Sequence, residues 1–208
     1  MGYAVEGGRI RTRSLEYSAA YHCNLRCACC AHLSPYARPC LPDLDGFRAD
    51  LTALATALHA DVLRLLGGEP LLNRRLPALL AAARQSGIAD RLMVTTNGLL
   101  LARAPEAFWR QVDVVLVSVY PGTEGRIDLD LARRRAEAFG VVLAVERVSQ
   151  FRAMILTEPQ PADWVTDLVF RSCRDVHEHH CHMLHEGYLY RCPLPPFLPS
   201  YLRRLGGE

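Results

Sequence analysis

The stretch Val62-Leu63-Arg64-Leu65-Leu66, stopped by Gly67-Gly68, decides how the chain is read. A short apolar run closed by two glycines has the length of a buried strand and the turn signal that ends one. Ahead of it, Leu44 to His59 sets Leu, Phe and Ala at helical spacing, so the local order is helix, strand, turn. The unit then repeats. Arg75 to Ser86 reads as a helix with Pro77 in its first turn and Gly87 as its stop, and Arg91 to Thr95 as a strand ended by Asn97-Gly98. Pro105 to Gln111 predicts a helix, Val112 to Tyr120 a strand ended by Pro121-Gly122, Leu129 to Phe139 a helix and Val141 to Val148 a strand. Such alternation predicts an α/β fold with a parallel sheet, its site at the C-terminal edge of the strands.

Toward the N-terminus, Ser14-Leu15-Glu16-Tyr17-Ser18 alternates apolar and polar residues and leads straight to the first cysteine, which reads as a strand ending in a cysteine-bearing loop. In the other direction the alternation fades after about Leu156. Pro159, Pro161 and the Cys/His-rich segment from Cys173 to Cys192 read as a small irregular appendage pinned by metal, with a proline-rich tail behind it. The expected division is residues 10–156 for the β/α unit and 157–208 for the appendage. No internal repeat appears beyond the β/α alternation.

At 208 residues, half of them apolar, the chain can build one sizeable core. A net charge of +2 without runs of like charge speaks against nucleic acid or an anionic membrane as partner. No window approaches a membrane span and no signal segment is visible, so a cytoplasmic location and a small-molecule or peptide substrate are expected. In such a compartment eight cysteines argue for metal ligation over disulfides.

The cysteines fall into two groups. Cys23, Cys27, Cys29, Cys30 and Cys40 lie near the start, and Cys173, Cys181 and Cys192 near the end. Cys23, Cys27 and Cys30 have the spacing CxxxCxxC, which sets three thiolates on one tight loop. Three ligands suit an iron-sulfur cube with one iron left open. Structural zinc is the other reading, and it would need a fourth ligand from Cys29, Cys40, His22 or His32.

This loop, together with Gly67-Gly68-Glu69-Pro70 after the second strand and Thr96-Asn97-Gly98 after the third, resembles the radical S-adenosylmethionine (SAM) superfamily over roughly residues 14–150. The resemblance implies an incomplete (β/α)6 TIM-like barrel. It implies a [4Fe-4S] cluster on Cys23, Cys27 and Cys30, and SAM held at Gly67, Gly68, Glu69, Pro70 and Asn97, with Glu69 receiving the SAM ammonium. Ser118 resembles the polar position that meets the SAM ribose. The activity implied is reductive cleavage of SAM to a 5′-deoxyadenosyl radical that abstracts hydrogen from substrate, with flavodoxin or ferredoxin as reductant. One departure stands out: the family commonly has an aromatic residue just before its last cysteine, and here that residue is Cys29, read as a bystander thiol.

Cys173-x13-Gly187-x4-Cys192, with Cys181 between, resembles the opening of the SPASM and Twitch appendages that bind auxiliary [4Fe-4S] clusters, Gly187 turning a hairpin. Sixteen residues follow Cys192, leaving room for at most one such cluster. The missing fourth ligand is sought in Cys40, His177, His179, His180, His182, His185, solvent or substrate; a Cys3His zinc site is the competing reading. Glu146, Arg147 and Arg152 are further candidates for the barrel interior, although Glu146 and Arg147 cannot both point inward on a regular strand.

The substrate class expected from the Twitch-like resemblance is a polar small molecule, a sugar, aminocyclitol or natural-product intermediate, undergoing oxidation, dehydration or epimerisation. Modification of a ribosomal peptide is the alternative within the family, for which the sequence shows no leader-recognition segment. A non-catalytic iron-sulfur or zinc-binding partner protein is the alternative outside it.

Overall fold

A computed structural model describes residues 3–149, 155, 162–204 and 206. Strand β1 (Ala4–Glu6) pairs antiparallel with β2 (Arg9–Ala20), and the chain then alternates through α1 (Leu44–Leu54), β3 (Leu58–Gly67), α2 (Leu76–Ser86), β4 (Ala89–Thr96), α3 (Glu106–Trp109), β5 (Val114–Val119), α4 (Leu129–Phe139) and β6 (Val142–Arg147). The C-terminal part adds α5 (Asp163–Arg171), α6 (Arg174–His177), β7 (His182–His185), β8 (Tyr188–Tyr190) and α7 (Leu198–Arg204).

Local chemistry sets the helix limits. Asp43 caps α1 by accepting from Gly46 N, and Asp128 caps α4 by accepting from Leu131 N. Gly87 and Gly140, at φ 64° and 68°, end α2 and α4 in the left-handed conformation. The helix expected from Leu44 to His59 stops early, at Leu54. Ile10 N reaches Ala57 O at 2.8 Å, and Leu58 and Ala60 are buried in the β3 ladder, so tertiary strand pairing overrides the helical spacing there. The helix expected over 105–111 is a single turn that buries Phe108 and Trp109 completely.

The sheet order is β6-β5-β4-β3-β2-β7-β8; β2 through β7 lie parallel to one another, and β1 and β8 pair antiparallel with β2 and β7. Six parallel strands are thus present, as in a partial (β/α)6 barrel, with one difference in their order. The sixth comes from the Cys/His-rich segment and lies beside β2, not beside β6. The expected boundary near residue 156 falls outside the described residues, as do Arg152, Pro159 and Pro161. Gly187 turns the β7–β8 hairpin; Glu186 and Gly187 both have positive φ, which is the geometry of a two-residue turn.

Helices α1 to α4 cover one face. Tyr17 packs on Phe47 of α1 with ring centroids 4.3 Å apart, and Leu15, Leu63, Leu65, Val94 and Val117 join the same core. Each such side chain contributes roughly 1.5–3 kcal/mol on burial. Because strand side chains alternate, Ser14, Glu16, Ser18, Arg64 and Thr95 point to the opposite, inner face. There the Ser14, Ser18 and Thr95 hydroxyls and Arg64 Nε are buried without a hydrogen-bond partner among the described residues.

Candidate active site

Strand β2 delivers the cysteine loop. Beyond Ala20 the chain turns under the end of β3: Gly68 N donates to Ala20 O at 2.7 Å and Glu69 N to His22 O at 3.0 Å. Gly67 has φ 113°, and a Cβ on Gly68 would collide with the His22 carbonyl. The two glycines therefore let two strand ends interlock directly ahead of Cys23. Their spacing was readable in sequence, but the backbone they accommodate was not.

Glu69 is fully buried. Its Oε1 accepts from Leu71 N at 3.0 Å and from Thr96 Oγ1 at 2.6 Å, and its Oε2 accepts from Asn97 N at 2.8 Å. Burial pushes its carboxyl up and the three donors pull it back, with burial the stronger. It joins the β3 and β4 ends, and neither it nor Pro70 is among the residues lining the adjacent cavity. Asn97 carries the connection onward: its Nδ2 donates to Asn24 Oδ1 at 2.7 Å and lies 3.7 Å from Cys23 Sγ. Gly98, at φ 78°, completes the turn against Val117 and Ile127.

The cavity measures about 370 Å³. Cys23, Cys27 and Cys30 line it together with Gly67, Gly68 and Asn97, and Tyr120 closes it from the end of β5. Ser118 lies just behind, buried, on the strand that carries Tyr120. Burial raises the Cys23 and Cys27 thiols; Leu25 N, donating to Cys23 Sγ at 3.3 Å, works against that rise. Thiols raised by burial need a cation to become thiolates, and three on one loop beside an open cavity fit a cubane with one iron free. Cys29 sits between them in the left-handed conformation at φ 57°, exposed.

The opposite wall comes from the appendage. Arg174, Asp175 and His179 line the same cavity, an involvement that sequence spacing did not signal. Cys173 directly precedes α6 without a side-chain capping bond, and Cys181 N donates to Asp175 O at 2.9 Å. Burial, and then the Glu16 charge, push the Cys181 thiol up to about 12, and Glu16 in turn is raised by burial to about 7 with Arg64 Nη1 at 3.9 Å. Burial raises the Cys192 thiol, and the charges of Cys173, Asp175 and Glu16 add to the rise. Glu146 and Arg147 are both exposed on β6.

Over 133 residues the chain is 38% identical to a GTP 3′,8-cyclase of Xanthomonas axonopodis pv. citri, covering 57% of this chain and 38% of that protein. A GTP 3′,8-cyclase of Klebsiella pneumoniae is 34% identical over 110 residues, covering 50% and 32%. The chain is thus similar to relatives that support the radical SAM resemblance of its sequence. It spans only about two-fifths or less of the length of these curated relatives. No family model matches it. Among solved structures, the crystal structure of BtrN in complex with AdoMet and 2-DOIA shares the fold of this chain at a TM-score of 0.56 and 14% identity, covering 88% of this chain and 73% of BtrN. Among the described residues no helix is long and apolar enough to cross a membrane.

Proposed function

We propose that this chain is a radical SAM enzyme in which Cys23, Cys27 and Cys30 hold a [4Fe-4S] cluster and the cavity beside them takes SAM. The observation that supports it is the convergence of three strand ends. The β2 cysteine loop, Gly67-Gly68 after β3 and Asn97 after β4 all border one cavity. Together, cluster and SAM supply one-electron cleavage of SAM and the hydrogen-abstracting 5′-deoxyadenosyl radical. The protein's part is to hold and shield. Gly67 and Gly68 expose backbone to the ligand, and Glu69 fixes the spacing of the β3 and β4 ends while adding negative charge behind the ammonium position. Asn97 orders the cysteine loop through Asn24, and Ser118 serves the ribose side.

Residues 10–156 form this unit, and 157–208 form a Twitch-like appendage whose Cys173, Cys181 and Cys192 hold an auxiliary [4Fe-4S] cluster. The substrate is a polar small molecule bearing hydroxyl or amine groups, in keeping with the unpartnered Ser14, Ser18, Arg64 and Thr95 atoms on the inner face. Its reaction is oxidation, dehydration or epimerisation, with flavodoxin or ferredoxin as cytoplasmic reductant.

Anaerobically reconstituted protein given SAM and dithionite is expected to release 5′-deoxyadenosine even without substrate, and Cys27→Ala to release none. Equal yields from the two proteins would rule the reading out.

A further inference from the structure

Three cysteines leave one iron of an auxiliary cube without a protein ligand, and the structure narrows what can fill that place. His177 Nε2 is engaged with Phe170 O at 2.9 Å. His180 lies against Tyr3 and reaches toward Thr12, and His182 has one ring nitrogen 2.8 Å from Tyr3 Oη and the other 2.7 Å from His180 O. His185 packs between Tyr21 and Phe197, and Cys40 lines a different cavity with them. Five of the side chains that sequence offers as the fourth ligand are thereby placed elsewhere.

What stands beside Cys181 is Asp175, a residue outside the Cys/His pattern. A carboxylate oxygen of Asp175, a ring nitrogen of His179 and Cys181 Sγ all lie within 4.8 Å of one another. The backbone fixes this arrangement, because Cys181 N is bonded to the Asp175 carbonyl and Asp175 lies in the first turn of a helix that Cys173 directly precedes. His179 Nδ1 lies 3.6 Å from Asp175 Oδ1, where it can orient the carboxylate, as a neighbouring donor often orients a ligand.

We propose that Asp175 is the fourth protein ligand of the appendage's metal centre, with His179 as its orienting partner. The assignment rests on the reading of Cys173, Cys181 and Cys192 as cluster ligands. Asp175 lines the same cavity as Cys23, Cys27 and Cys30, so this ligand position opens toward the proposed SAM site. A carboxylate is a harder and more readily exchanged ligand for iron than thiolate, and a cube closed by one keeps an iron that a substrate hydroxyl or amine can reach. Glu16 is the competing carboxylate. It meets Cys181 from the sheet side with Arg64 beside it.

The test uses full-length protein carrying Cys23→Ala, Cys27→Ala and Cys30→Ala, reconstituted anaerobically, so that only the appendage centre is loaded. Iron, sulfide and zinc are measured together with electron paramagnetic resonance. About four irons are expected per chain. Adding Asp175→Ala should change the resonance signal and leave one iron labile, so that brief oxidation converts the centre to a three-iron cluster, and Asp175→Cys should protect the fourth iron. Wild-type protein with and without Asp175→Ala, read by the same signal, repeats the comparison in a fully loaded chain. An unchanged signal and an equally protected fourth iron in Asp175→Ala, or these changes in Glu16→Gln instead, overturn the ligand assignment while leaving the cluster reading intact. No iron, or stoichiometric zinc, in the triple variant overturns the cluster reading itself, and the assignment with it.

Discussion

Glu69 Oε2 accepts the backbone N–H of Asn97 at 2.8 Å, tying the end of β3 to the end of β4 from a fully buried position. Glu69→Gln keeps the shape but turns an amide group toward one of the three donors that Glu69 satisfies. The expected cost is about 1–3 kcal/mol of stability, the price of leaving a buried donor unpaired. Chemical denaturation measures this, and SAM binding by calorimetry should weaken in parallel. Unchanged stability would mean that the three hydrogen bonds do not form.

Gly68 meets the His22 carbonyl, whereas Gly125 faces open space at an ordinary backbone angle. Gly68→Ala should force the cysteine loop away from β3 and cost about 1–3 kcal/mol, with a clear fall in iron retained after reconstitution. Gly125→Ala should stay within about 0.5 kcal/mol of wild type. Thermal melts and iron assays of the pair decide whether close backbone approach is the reason for the double glycine.

Cys27 and Cys29 lie two positions apart and line the same cavity, yet only Cys27 belongs to the proposed ligand set. Cys29→Ala should keep full iron at the first centre, and Cys27→Ala should lose it. Equal losses would make Cys29 a ligand and move the search for the bystander to its neighbours.

His185 packs on Tyr21 and Phe197 with Glu186 next to it, and burial holds its pKa below the ordinary histidine value, Glu186 opposing the shift only in part. A histidine lowered in the folded state contributes stability that is present above about pH 6.5, its unfolded value, and is lost as pH falls below that point. The melting midpoint of the wild type should therefore drop between pH 7.5 and pH 5.5 by more than that of His185→Phe. Parallel profiles would show that His185 takes no part in the dependence.

Much of the fold was readable because β/α alternation and glycine stops are local signals. Leu129–Phe139 stands where spacing put it, and Val62–Leu66 lie within β3, which begins earlier, at Leu58. The early stop of α1 was not readable, since the ladder partner of Leu58 is Ile10, far away in sequence. In the site, three cysteines on one loop are local, and the loop faces its cavity as spacing suggested. Glu69 reads as a free anion in sequence because the donors that occupy it come from residues 96 and 97, a tertiary fact. Asp175 carries no motif at all; only the return of the chain at Cys181 brings it among ligands. Cys40, near the cluster cysteines in sequence, faces another cavity altogether.

β7 finishes the sheet beside β2, pairing Tyr17 with Leu184. The strand that leads into the cysteine loop is synthesised long before β7, and the part of its outer edge that β7 covers waits for that distant segment. Until then that edge is an open template for pairing with other chains. Contacts between such distant residues also close slowly. Synthesis under conditions that delay the C-terminal segment therefore favours aggregation through β2, and the hairpin that completes the sheet also acts as its shield during assembly.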